Sequence, residues 1–222
     1  MSEEILKALM QLFAIIAKQD AGLSAKEREY VHLFLKLQLN ESAVRDYLCL
    51  FDGFAGAGKK SAEGEEVKLT SVKDSVKTLG ICKKINKTLS QKQKVVVLVR
   101  LFELIDVEKN YTSQRKAIID TVAEAFNISV IEHKAISEFV TQDVPAHLTS
   151  PEIMVIINSN DKLNPDSKFI ESTSLNGHIL ILRVPSVDLY FIRYIGIDEV
   201  LLNGLPINDN RIYPFASGSV VK

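Results

Sequence analysis

Over the first 141 positions apolar residues recur every three or four places, and from residue 152 they fall into short runs. The first period is that of amphipathic helices and the second that of strands. A first helix is expected from Ser2 or Glu3 to Gln19, with Ile5, Leu9, Leu12, Phe13, Ile16 and Ala17 on its core face. A second runs from Ala25 to Leu39 on Tyr30, Val31, Phe34, Leu35 and Leu37, and a third opens at Asn40 or Glu41 and stops near Gly53. Thr70 or Ser71 caps a fourth, which carries Val76, Leu79, Ile81, Cys82 and Ile85 and is broken at Gly80. The fifth, from Ser90, is apolar on much of its surface through Val95–Leu98, Leu101, Phe102, Leu104 and Ile105, as a helix enclosed by others is. Ser113–Phe126 forms the sixth, and Ser129 caps the seventh, with Ile131, Ala135, Ile136, Phe139 and Val140 facing inward.

Pro145 and Pro151 stop any further helix, because proline lacks the amide donor and clashes with the preceding turn. Strands are then expected at 154–157, 168–171, 177–184 and 189–194. Val200–Leu202 and Arg211–Tyr213 flank Asn203-Gly204, a favoured hairpin turn, although Pro206 and Asn208-Asp209-Asn210 offer another. The expected fold is α+β: a helical bundle at 1–141 with a loop or insertion at 54–69, a linker at 142–151, and a small, mostly antiparallel β module at 152–222. The last residues, Ser219–Lys222, lie inside a strand pattern, so the β module is expected to be incomplete and the chain a piece of a longer protein.

Two helix–helix turns carry the most information. The first reads Gln19-Asp20-Ala21-Gly22-Leu23-Ser24, and Glu27 follows three residues later. Ser24-x-x-Glu27 is a capping box, in which serine and glutamate satisfy free N–H groups at a helix start. The second turn, Glu108 to Arg115, repeats the layout. Glu108 stands in the place of Asp20, Thr112 in that of Ser24, and Arg115 in that of Glu27. The bundle therefore reads as two imperfect copies of one helix–turn–helix unit. If the copies pack pseudo-symmetrically, Asp20, Glu27 and Glu108 converge, with Asp106 nearby, and such oxygen donors suit Ca or Mg. The competing reading makes Ser24, Thr112 and Arg115 capping or ion-pairing residues, with Arg115 neutralising Glu27 or Glu108.

Composition narrows the possibilities. The chain has 222 residues, 46% apolar, 25% charged, with a net charge of −1, which is ordinary for a globular protein. Cys49 and Cys82 sit in helical patterns without metal-ligand spacing, and both are expected as buried thiols. No basic-then-apolar leader opens the sequence, and no run reaches the roughly 20 apolar residues that span a bilayer, so a cytoplasmic setting is expected. Gly53-x-x-x-x-Gly58-Lys59-Lys60 imitates a phosphate loop but has lysine at the Ser/Thr position and a helix where the motif needs a strand. His32, His133, His147 and His178 have no nucleophile or paired acid in a recognisable setting, so no catalytic residue is assigned. Between Lys59 and Lys94 ten lysines face four acids, a local +6, and Lys73, Lys77, Lys84 and Lys87 share a helical face. The span has no Arg, Trp, Tyr or Phe, which nucleic-acid binding would use, so a solvated face, an acidic partner or an anionic membrane surface is the better expectation.

On the paired turns, residues 1 to about 141 resemble the tellurite-resistance TerB-like domain. Asp20 and Glu27 match the acids of that family's first turn and Glu108 one acid of its second. Ala21-Gly22 stands in place of Asp-Gly, and Arg115 replaces an acid outright. The resemblance implies an all-helical fold of two similar halves and a metal-binding role for the matching acids. The whole arrangement also resembles the cytosolic N-terminal part of long bacterial proteins that continue into an ATP-binding cassette and membrane segments. The expected function is a non-catalytic regulatory or scaffolding segment that contacts a protein, other domains of a longer chain, or a membrane surface. The alternatives are a divalent-metal-sensing module and, less favoured, a nucleic-acid-binding module.

Overall fold

The computed structural model describes residues 3–19, 22–56, 67–159, 163–165 and 167–222, with the side chains of residues 4, 5 and 67–73 left aside. The chain divides into two compact units, residues 1–129 and 130–222.

Among the described residues the first unit holds six helices: α1 (Glu3–Ala17), α2 (Ala25–Lys36), α3 (Glu41–Ala55), α4 (Val67–Thr88), α5 (Gln91–Asp106) and α6 (Ser113–Ala125). Helix α1 packs against α3, α4 and α5, so every residue from Leu12 to Ala17 is buried. Helix α5 is buried almost as fully, from Val97 to Val99 and from Leu101 to Ile105. A helix that is apolar on much of its surface belongs inside its unit, and these stretches of both do. Phe13 meets Tyr30 and Phe34 of α2 edge-on, at centroid distances of 6.2 and 5.6 Å, a geometry aromatic quadrupoles favour.

Helices α3 and α4 differ from expectation in three respects. Helix α3 continues through Gly53 to Ala55 and stops at Gly56, whose φ of +75° is the left-handed cap that glycine tolerates. Helix α4 starts at Val67 and passes Gly80 without a break. One interior glycine costs only about 1 kcal/mol, and burial of Thr78, Ile81, Cys82 and Ile85 around it offsets that. The expected loop at 54–69 thus shortens at both ends, and 57–66 lie outside the described residues. Cys49 is exposed, not buried, because it lies on the outward side of α3; Cys82 is buried, and burial pushes its thiol up to about 12.

The second unit contains α7 (Val130–Thr141) and a five-stranded sheet of order β2-β1-β3-β4-β7: β2 (Lys168–Glu171), β1 (Ile153–Ile157), β3 (Gly177–Val184), β4 (Leu189–Gly196) and β7 (Ile212–Pro214). Only β1–β2 is parallel; the other pairings are antiparallel. Helix α7, read from sequence as the last helix of the bundle, lies in the same unit as the sheet and packs on β3 through its Ala135, Ile136, Phe139 and Val140 side. Ile131 is consequently 71% exposed, contrary to expectation, because it is off that narrow stripe. The opposite sheet face, with Ile179, Ile181, Ile192 and Tyr194, is covered by Val200 and Ile207 of a separate hairpin, β5 (Val200–Leu202) and β6 (Leu205–Ile207). Asn203 and Gly204 make its two-residue turn with φ of +53° and +81°, the type I′ pattern. The partner of β5 is therefore β6, and Ile212 and Tyr213 pair instead with β4.

The segment after α7 is clasped by Glu138, which accepts hydrogen bonds from the Thr149 N–H and hydroxyl and the Ser150 N–H at 2.9, 2.6 and 2.9 Å. Burial opposes charge on this carboxyl, but the three donors outweigh it and hold the group below its ordinary range. Among the described residues no helix is long and apolar enough to cross a membrane.

Candidate functional site

The turn between α1 and α2 meets the turn between α5 and α6. Ser24 is the N-cap of α2: its Oγ accepts from Glu27 N–H at 3.1 Å, and its own N–H donates to Glu27 Oε2 at 3.0 Å. The same hydroxyl donates to Glu108 Oε1 at 3.0 Å, across 84 positions of sequence. Glu108 Oε2 is also 3.8 Å from Lys26 Nζ. Thr112 caps α6 by accepting from Arg115 N–H at 3.4 Å. Arg115 then turns inward: Nη1 donates to Glu27 Oε1 at 2.6 Å, and Nη2 to the Ala17 carbonyl at 3.4 Å, at the end of α1.

Electrostatically this is a buried ion pair, with side chains 3% and 0% exposed for Arg115 and Glu27. Both Glu27 oxygens are engaged, one by the guanidinium and one by the Ser24 amide. The Arg115 guanidinium thus supplies a positive charge beside Glu27, where the expected metal site needed a further acid. Asp106, the fourth candidate, accepts from Lys109 Nζ at 2.9 Å and from the Tyr111 hydroxyl. Asp20 lies outside the described residues. Among the described residues no group of three or more His, Cys, Asp and Glu side chains is placed to hold a metal ion.

A second candidate surface is the outward side of α4. Lys77, Lys83, Lys84 and Lys87 are all exposed, while Asp74, Thr78, Ile81, Cys82 and Ile85 face the core. The Lys73 side chain lies outside the described ones. Asp74, the acid of this stretch, is 5% exposed and is held by Lys18 at 3.3 Å and Gln19 at 3.0 Å. The four exposed lysines make no ion pair among the described residues.

In the second unit, sequence reading missed Arg193. It sits mid-strand in β4, 1% exposed, opposite Leu180 on the face that meets α7. Its Nη1 donates to the Phe139 and Gln142 carbonyls at 2.9 and 3.2 Å, which the last turn of a helix leaves without intrahelical partners. Nη2 donates to Asp143 Oδ1 at 2.5 Å, and Nε to Asn210 Oδ1 at 2.7 Å. The available signal was a lone cation within the apolar run Tyr190–Tyr194. His178, one strand away on the same face, has a buried Nε2 without a hydrogen-bond partner. Burial holds its imidazole below the ordinary range and Arg193 adds to this, against the Asp143 backbone and the carboxylates of Asp143 and Asp209.

Comparison with protein-family models, curated proteins and solved structures finds no match.

Proposed function

We propose that this chain is a non-catalytic contact module: a TerB-like pair of helical hairpins, tied at their turns, that holds α4 outward as a basic docking surface. The observation that carries the reading is the α4 face itself, where Lys77, Lys83, Lys84 and Lys87 are exposed and no acid on the described part of the helix neutralises them. Cations in contact with an acid of their own fold are already satisfied; these four are available to an external anion. The tie between the hairpins supports the same reading. Glu27, Glu108 and Arg115, the groups best placed for chemistry, bind one another or the caps beside them. A divalent-metal sensor built on Asp20, Glu27, Glu108 and Asp106 is the competing function, and the guanidinium of Arg115 against Glu27 speaks against it. Association of the full chain with immobilised polyglutamate and with anionic vesicles tests the proposal. Binding should weaken with salt and with Lys77→Glu/Lys84→Glu/Lys87→Glu. No binding to either anion, or binding indifferent to charge reversal, would overturn it.

A further inference from the structure

We infer that the surface met by α4 is an anionic lipid headgroup layer; this rests on the contact reading above and names its partner. At about 100° per residue, Lys77, Lys84 and Lys87 fall within roughly 80° of one another, and Val76 and Lys83 continue the same arc. Val76 is 64% exposed and Leu79, at the edge of that arc, 44%. The outward face is thus a row of ammonium groups with one aliphatic side chain, Val76, within it and another, Leu79, at its edge, on a helix 22 residues long. Headgroup layers ask for this chemistry: delocalised negative charge that needs no fixed donor geometry, above an apolar boundary that shallow aliphatic side chains enter.

Other anionic partners ask for different groups. Phosphate recognition in nucleic acids draws on the bidentate guanidinium fork and on aromatic stacking, and the exposed face of α4 has neither Arg nor any aromatic residue. An acidic protein partner would set discrete carboxylates against discrete cations. It would leave without a role Val76, which falls between Lys87 and Lys83 around the helix, and Leu79, just beyond Lys83. The α6 helix beside α4 exposes the acids Asp120 and Glu124, but neither forms an ion pair with Lys77, Lys83, Lys84 or Lys87. Each lysine near an anionic leaflet strengthens partition by roughly fivefold, so four reach a hundredfold or more without a shaped pocket.

The test is flotation of the full chain with phosphatidylserine–phosphatidylcholine vesicles and with phosphatidylcholine vesicles alone, with polyglutamate and duplex DNA as competitors. Binding to the phosphatidylserine vesicles alone is expected. It should fall roughly tenfold or more in Lys77→Glu/Lys84→Glu/Lys87→Glu, and by a smaller factor in Val76→Ser/Leu79→Ser at unchanged charge. Lys77→Gln/Lys84→Gln/Lys87→Gln repeats the charge arm with a milder change, and far-UV circular dichroism checks that each variant is folded. Association with polyglutamate but not with vesicles would overturn the lipid assignment and leave the contact function standing, and association with DNA alone would overturn both. Vesicle binding that survives the lysine changes would overturn the assignment to α4. Failure to bind any of the anions would sink both readings.

Discussion

Two charged side chains decide most at the scale of single residues. Arg115 and Glu27 are buried as a pair, and a buried charge without its partner is far more costly than the pair itself. Arg115→Ala and Glu27→Ala are each expected to lose about 3–5 kcal/mol in urea unfolding, whereas Glu27→Leu/Arg115→Leu should lose much less than the sum. Additive losses would mean that the two groups do not depend on each other. His178 makes the opposite kind of prediction. Its folded-state pKa is lowered, chiefly by burial, so between about pH 6.5 and that lower value the unfolded chain binds more protons. Stability from this residue is therefore complete above about pH 6.5 and is lost as pH falls. Chemical denaturation at a series of pH values should show that decline, and His178→Leu should flatten it. An unchanged slope in the variant would assign it to other groups.

Among the elements, the informative one is α7. Its Phe139 and Gln142 carbonyls are bound by Arg193, and its apolar stripe covers the face of β3 that carries Leu180 and Leu182. A fragment of residues 130–222 should therefore unfold cooperatively, while 142–222 should not, because it takes the Phe139 carbonyl away from Arg193 and leaves an apolar sheet face in water. Equal cooperativity of the two fragments by circular dichroism would show that α7 contributes nothing to the sheet. What was readable in the sequence follows from the same physics. Helix starts at Ser24, Ser90 and Thr112 depend on residues within four positions and could be seen directly. The contact between Glu27 and Arg115 spans 88 positions, and only the overlay of two similar turns brought it into view, with Glu108 as an equal alternative. What covers an amphipathic helix is not written in its own period, so the sequence does not separate α7 from the helices before it. Nor does local β pattern choose a strand's partner: Asn203-Gly204 marks the turn, yet Pro206 interrupts Leu205–Ile207 and makes Arg211–Tyr213 the stronger strand pattern.

Taken as a whole, the chain separates its charges by use. Buried ones such as Arg115, Glu27 and Arg193 hold helix ends and strands, and the lysines of α4 are exposed, which is the face the proposed contact function would use. Hydrogen–deuterium exchange on the full chain, with calcium and with phosphatidylserine vesicles added separately, reads both uses at once. Vesicles should slow exchange in residues 74–88 and calcium should leave residues 24–27 and 108–115 unchanged, since Arg115 already holds Glu27. Calcium-dependent protection at those two turns, with none at 74–88 on adding vesicles, would make the hairpin turns an ion site and α4 a mere solvated face.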